Sequence, residues 1–194
     1  MIRLDYEIIA DIIEPGSKVL DLGCGDGELL SLLKQKKNCR GTGIEISPEE
    51  IFKCMERGVS VAQGSIDDDF DVYEDKRFDY VILNESLQQV LNIEKVLSGS
   101  LRIGKKVIVG IPNFCDARAR FQLFFMGKVP VTESLPYKWY NTPNLRFLSL
   151  NDFRDFCAEK DIDIEKAWYL SEGKKVAFLT NLLADSGIFV LKKG

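Results

Sequence analysis

Histidine does not occur in the 194 residues, and that gap removes a large share of enzyme chemistry. Ser-His-Asp and Cys-His nucleophile systems need an imidazole base, and many metal centres need imidazole ligands. Cysteine is sparse: Cys24, Cys39, Cys54, Cys115 and Cys157 are odd in number and scattered, without C-x-x-C spacing. They read as reduced thiols, neither a disulfide framework nor a zinc site, and no metal is expected. No apolar run approaches the ~20 residues of a membrane span, and no basic stretch followed by an apolar one opens the chain. A cytoplasmic protein without a membrane partner is therefore expected. Net charge is −4 and no face made mainly of Lys and Arg is evident, so nucleic acid is not an expected partner. Chemistry must then come from carboxylates, amides, hydroxyls, Lys, Arg or a cofactor.

What the chain does contain is alternation. Ile8, Ile9, Ile12 and Ile13 form a helical stripe stopped by Pro15-Gly16, and Lys18–Leu22 reads as a strand. Leu29, Leu30, Leu32 and Leu33 mark the next helix. Thr42–Ile46 reads as a second strand. Ser47-Pro48-Glu49-Glu50 then predicts a helix to about Arg57, with Ser47 as N-cap and Glu50 closing a capping box. Further strands are expected at Val59–Gln63, Tyr80–Leu83, Lys106–Ile111, Ile164–Leu170 and Gly187–Lys192, with helices at Ile93–Leu101 and Asn151–Lys160. Such alternation argues for one α/β domain over residues 1–194, a mostly parallel sheet covered by helices on both faces. Residues 113–148 break the pattern. They are rich in aromatics and proline, with one helix from Arg118 to Met126, and are expected to form a lid. Phe121, Phe124 and Phe125 are expected to pack beneath it.

The densest information lies in Val19-Leu20-Asp21-Leu22-Gly23-Cys24-Gly25-Asp26-Gly27: a strand, a turn too tight for Cβ atoms, then a helix. Spacing separates the ligands such a junction can hold. A dinucleotide fingerprint needs glycine at position 28, which is Glu28, and a P-loop needs Lys followed by Ser or Thr after its last glycine. Asp21, Asp26 and Glu28 also make the turn acidic, which disfavours pyrophosphate and an NAD-dependent oxidoreductase. S-adenosylmethionine fits better, carrying a sulfonium and an α-ammonium together with a carboxylate that the turn's N–H groups can receive. Glu45 ends the neighbouring strand, where a ribose diol is bound in this type of fold. Gly64-Ser65-Ile66-Asp67 ends the third strand, where adenine would lie. A glycine turn used only for close packing is the alternative.

These residues resemble the class I S-adenosylmethionine-dependent methyltransferases. More narrowly, almost the whole chain is similar to the MetW family of methionine biosynthesis. The narrower likeness rests on Val19–Gly27, on Phe78-Asp79-Tyr80-Val81-Ile82-Leu83 with Leu87-Gln88, on Pro112-Asn113-Phe114 and on Trp139-Tyr140-Asn141-Thr142-Pro143-Asn144. The resemblance implies a Rossmann-like, seven-stranded sheet of order 3-2-1-4-5-7-6 with the last strand antiparallel. It implies S-adenosylmethionine as cofactor. Asp21, Gly23, Cys24, Gly25 and Gly27 would lie around its methionine part, Glu45 and Ile46 at the ribose, and Ser65 and Ile66 at the adenine. Asn84 and Glu85 would face the sulfonium. The superfamily usually has an acid where this chain has Ser65. The MetW pattern has His-Trp at Asp116-Ala117 and His at Arg146. Catalytic residues are not identified. Asn113, Asp116 and Tyr140 are the candidates for contact with a small-molecule methyl acceptor. The resemblance also implies a second role, as a non-catalytic partner or regulator of homoserine O-acyltransferase.

Overall fold

The computed structural model describes residues 3–68 and 70–194. Five strands run parallel: β1 (Lys18–Leu22), β2 (Arg40–Glu45), β3 (Ser60–Gln63), β4 (Phe78–Asn84) and β5 (Gly104–Pro112). With β6 (Ile162–Ser171), β7 (Lys174–Lys175) and β8 (Ser186–Lys193) they make a sheet of order β3-β2-β1-β4-β5-β8-β6-β7. The expected Rossmann-like order holds over seven strands, with β8 antiparallel between β5 and β6 where the seventh was expected. The two-residue β7 folds back on β6 at the edge and adds an eighth.

Seven α-helices are described: α1 (Leu4–Ile12), α2 (Glu28–Lys37), α3 (Pro48–Glu56), α4 (Ile93–Ile103), α5 (Ala117–Met126), α6 (Leu150–Glu159) and α7 (Thr180–Leu183). Successive strand residues point to opposite faces, so the sheet builds two cores. On one face Val19, Ile82, Ile108 and Ile188 meet Ile8 and Ile9 of α1, Leu29, Leu30 and Leu33 of α2 and Cys54 of α3. On the other, Leu20, Leu83, Val109 and Phe189 meet Val96 and Leu97 of α4 and Phe153 and Cys157 of α6. Asp21 falls on the α1–α2 face by the same alternation.

Local signals held at some helix starts and yielded at others. The Ser47 hydroxyl accepts from the Glu50 N–H (3.5 Å), as expected of an N-cap. The capping box does not close, because the Glu50 carboxylate takes Lys53 (2.7 Å) and the Ser47 N–H goes to Glu45 Oε1 (2.9 Å). An acceptor two residues upstream displaced the one three residues downstream.

After Pro112 the chain leaves the sheet. Helix α5 follows, and then irregular backbone to Ser149. The three phenylalanines of α5 are not packed beneath this segment. Phe121, Phe124 and Phe125 are exposed, at 56%, 83% and 70%. They stack on one another instead, with ring centroids 4.9–5.0 Å apart. Among the described residues no helix is long and apolar enough to cross a membrane.

Phe189, fully buried, contacts Phe153 (ring centroids 4.8 Å) and Tyr169 (6.0 Å) and ties β8 to α6. Phe189→Ala should lower unfolding stability by about 3–5 kcal/mol in urea melts, the range for an aromatic removed from a packed core. A loss below 1 kcal/mol would show that this seam does not carry the sheet.

Candidate functional site

Parallel strands deliver their carboxyl ends to one edge. Between β1 and β4 the chain reverses its direction of growth across the sheet, which opens a crevice at that edge. Leaving β1, Gly23, Gly25 and Gly27 all adopt positive φ (78°, 53° and 75°), which admits glycine without strain. The position of a Cβ on Gly25 meets nothing within 4 Å, so the turn presents bare backbone to open space. Asp26 Oδ1 accepts from the Glu28 N–H (3.0 Å) and Oδ2 pairs with Arg57 (2.6 Å), so this acid serves the start of α2.

Glu45, at the tip of β2, crosses to the turn. Its Oε2 accepts from the Gly25 N–H (2.9 Å), and its Oε1 from the N–H groups of Ile46 (2.8 Å) and Ser47 (2.9 Å). The structure thus joins two of the expected cofactor residues by a direct bond. It also corrects the expectation that the turn's amides stand ready for a ligand carboxylate. Gly23 and Cys24 donate to the Ile44 carbonyl and Gly27 to the Cys24 carbonyl. Gly25 has a side-chain partner that a carboxylate rotation would release.

Asp21 is 3% exposed and has no hydrogen-bond partner among the described residues. Burial, with Glu45 as a smaller contribution, pushes its carboxyl up to about 7. An unpaired carboxylate at that depth costs several kcal/mol, so the group waits for a proton or a cation. Cys24 turns inward. Its Sγ lies 3.9 Å from that of Cys54, whose thiol donates to the Gly25 carbonyl (3.1 Å). Burial, then Asp21, holds the Cys24 thiol far above the usual range, so it is no nucleophile.

The third strand contributes Ile66, whose Cδ1 would lie 3.0 Å from a Cβ on Gly23 and so covers the turn. The Ser65 hydroxyl accepts from the Asp67 N–H (3.1 Å), and Asp67 in turn accepts from the N–H groups of Leu91 and Asn92. At the tip of β4 the Asn84 amide donates to Asp5 (2.9 Å) and lies where a Cβ on Gly110 would sit. Glu85 follows at φ 58°, a left-handed conformation that costs a non-glycine residue about 1–3 kcal/mol. It is held by its N–H donating to the Gly110 carbonyl (2.9 Å) and by an ion pair with Arg3 (2.8 Å).

Beside Asn84 and Glu85 opens a cavity of about 500 Å³. The three acceptor candidates do not line it. Asn113 is fully buried, donating to the carbonyls of Asn181 and Ala184 and accepting from the Cys115 N–H. Asp116 caps α5 through the Ala119 N–H (2.7 Å). Tyr140 is 63% exposed and edge-on to Trp139. Arg3, Asp5 and Gln88 do line the cavity and were missed. Arg3 and Asp5 reach the tip of β4 only through tertiary packing. The Leu87-Gln88 pair was quoted for the resemblance, without a role.

A family model described as "Methionine biosynthesis protein MetW" matches residues 3–191. A bifunctional methionine biosynthesis protein MetXA/MetW from Rhodopirellula baltica is 33% identical over 205 residues, 99% of this chain and 33% of that protein. A ribosomal protein L11 methyltransferase from Burkholderia mallei is 30% identical over 109 residues, 54% of this chain and 35% of the relative. The chain thus spans about a third of the length of these relatives. Among solved structures, a SAM-dependent methyltransferase from Thermotoga maritima, described as a possible histamine N-methyltransferase, superposes with a TM-score of 0.70. Identity is 20%, over 98% of this chain and 88% of that one, a likeness of fold.

The Asp21 carboxyl has a testable consequence. Its folded value, about 7, lies above the ordinary 3.8, so between these limits the folded state binds more protons than the unfolded one. Its contribution to stability is therefore fully present below pH 4 and is lost as pH rises through 7. Asp21→Asn should flatten urea midpoints measured from pH 4 to 8. Identical slopes in variant and parent would contradict a buried, unpaired Asp21.

Proposed function

The chain belongs to the MetW family of methionine biosynthesis proteins, and from that premise we propose that it binds S-adenosylmethionine at the glycine turn and transfers the methyl group to a small molecule in or near methionine metabolism. The observation that carries the reading is Asp21, a carboxyl 3% exposed and without a donor among the described residues, behind a turn that leaves open space at Gly25. An α-ammonium supplies both the charge and the donors this group wants. Bound, the cofactor supplies a methyl group on a cationic sulfur, and the difficult chemistry is its own.

The chain's residues then position and exclude. Asp21 holds the ammonium, and Glu45 turns from the Gly25 N–H to the ribose diol, freeing that amide for the ligand's carboxylate. Gly23, Gly27 and the buried Cys24 shape the turn, and Ile46 follows Glu45 at the ribose. Ile66 lies over the adenine face and Ser65 at its edge, while Asn84 and Glu85 face the sulfonium. Residues 113–148 cover the acceptor side and keep water from the in-line path. No protein nucleophile is required, in keeping with a chain without histidine.

Calorimetry with S-adenosylmethionine, S-adenosylhomocysteine and NAD tests this reading at the cytoplasmic pH where the protein is proposed to act. The first two should bind and NAD should not, and binding of NAD alone would overturn it. Glu45→Ala should weaken S-adenosylhomocysteine by about 1–3 kcal/mol, the range for a charged hydrogen bond.

A second reading, as partner or regulator of homoserine O-acyltransferase, is favoured by the α5 face. Phe121, Phe124 and Phe125 are exposed together and stack on one another, the kind of aromatic patch that marks a protein contact. A relative that joins MetXA and MetW in one protein supports it. The double variant Phe124→Glu, Phe125→Glu should lose co-purification with the acyltransferase while S-adenosylhomocysteine affinity is unchanged. Absence of any association by the parent chain would remove this reading.

A further inference from the structure

The aromatic face of α5 adjoins a groove that holds no negative charge. No Asp or Glu occurs from 117 to 132 or from 173 to 184, in a chain whose net charge is −4. The two segments meet where Arg120 Nη2 donates to the Asn181 carbonyl (3.4 Å). With α6 they border an open groove of about 610 Å³ that has no carboxylate in its lining. Arg120 enters it from α5 and Arg154 from α6. Between them the Asn151 N–H donates to Asn181 Oδ1 (3.3 Å). Phe178 and Leu179, 73% and 54% exposed, form an apolar wall. Phe124, one helical turn beyond Arg120 and itself exposed, continues the apolar surface along α5.

Both guanidiniums are held in place yet unpaired. Arg120 Nε donates to the Cys115 carbonyl (2.7 Å), while Arg154 lies over the Tyr169 ring (5.1 Å) and donates to its hydroxyl. Neither has a carboxylate within ion-pair distance among the described residues, whereas Arg118, two residues before Arg120, pairs with Glu172. Most of the N–H donors of each therefore remain without a protein acceptor. A planar fork of donors already in position matches a carboxylate and loses little freedom on binding it.

We propose that the groove and the α5 face together dock a protein partner whose contact surface sets carboxylates beside exposed apolar side chains. Charge complementarity selects it: the partner's acids meet Arg120 and Arg154, and its apolar side chains cover Phe124 and Phe178. A second copy of this chain does not fit, because a two-fold axis would set the same acid-free patch against itself. A bilayer meets the α5 aromatics but leaves the concave groove beside them unfilled. A small free acid fills the groove and leaves those aromatics bare. That the partner is homoserine O-acyltransferase rests on the second reading above. The chemistry of the surface does not.

Fluorescence anisotropy with labelled, end-blocked peptides reads the surface without that enzyme. The probe is three repeats of Glu-Leu-Phe-Asp, and its controls are the amide isostere Gln-Leu-Phe-Asn and the apolar-free Glu-Ser-Ser-Asp. The probe should bind at least tenfold more tightly than either control, and more weakly as salt rises. Phe124→Ser and Arg154→Glu, both at exposed positions, should each weaken it at least threefold. Arg120→Gln should do the same if circular dichroism shows it folded. Equal affinity for probe and amide isostere, no saturable binding, or unchanged binding by Arg154→Glu would each overturn the inference. So would retention on phosphatidylcholine vesicles containing phosphatidylglycerol that the same variants abolish, which assigns the surface to a membrane. Purified homoserine O-acyltransferase is then titrated against the same proteins. Failure of the parent chain to bind it overturns the partner reading and leaves the peptide series to decide the surface. Binding of the enzyme that Arg154→Glu and Phe124→Ser both leave intact overturns the docking surface instead.

Discussion

Asp21 must sit at the end of β1, 3% exposed and bonded to nothing, and the rest of the site is arranged around that uncompensated carboxyl. Alternation along β1 sends it to the α1–α2 face, where little of it meets solvent. Among the described residues no cation acts on it, and Glu45, the one charge that does, has the same sign. Isolated burial of an ionised acid is among the costliest arrangements a fold can contain. It persists where a ligand supplies the missing charge. The turn beside it is stripped of side chains and open at Gly25, so the vacancy in electrostatics and the vacancy in space coincide.

The other strand tips couple to this point. Glu45 holds three backbone N–H groups at once, which fixes β2's exit, the start of α3 and the height of the turn. Ile66 and the Ser86 side chain close over Gly23 from the opposite side, and the Ser86 hydroxyl also donates to the Leu22 carbonyl (2.8 Å). One tip further on, Arg3 draws the beginning of α1 onto Glu85, whose left-handed backbone is pinned to β5 through the Gly110 carbonyl. The glycine turn and the cavity beside Asn84 are thus neighbours across β4. A group bound at the first can present its reactive end to the second.

Much of this was legible because periodicity and turn chemistry are local. Lys18–Leu22, the three glycines, Glu45 and the helix after Ser47 all follow from spacing alone, and the resemblance to MetW supplied the sheet order. Strand starts were read short, at Phe78–Asp79 of β4 and Gly104–Lys105 of β5, because Asp79, Gly104 and Lys105 interrupt the apolar pattern. The Glu50 capping box lost its amide to Glu45, a competitor two residues upstream of Ser47. Other departures are tertiary. Asn113 and Asp116 looked available because they are polar and lie in an irregular segment. Their side chains instead satisfy backbone groups, a duty no pattern reveals. Hydrophobicity marked Phe121, Phe124 and Phe125 as packed beneath the 113–148 segment, yet it cannot say which surface covers them. Arg3, Asp5 and Gln88 became visible as site residues only once α1 and the turn after β4 were seen to meet.

A crystal structure of the chain soaked with S-adenosylhomocysteine tests the central claim most directly. The account requires the ligand's ammonium within hydrogen-bond distance of Asp21 and its ribose diol on Glu45, with the Gly25 N–H released from that carboxylate. Ligand density elsewhere, or Glu45 still bonded to Gly25 with Asp21 unpaired beside a bound ligand, would contradict it.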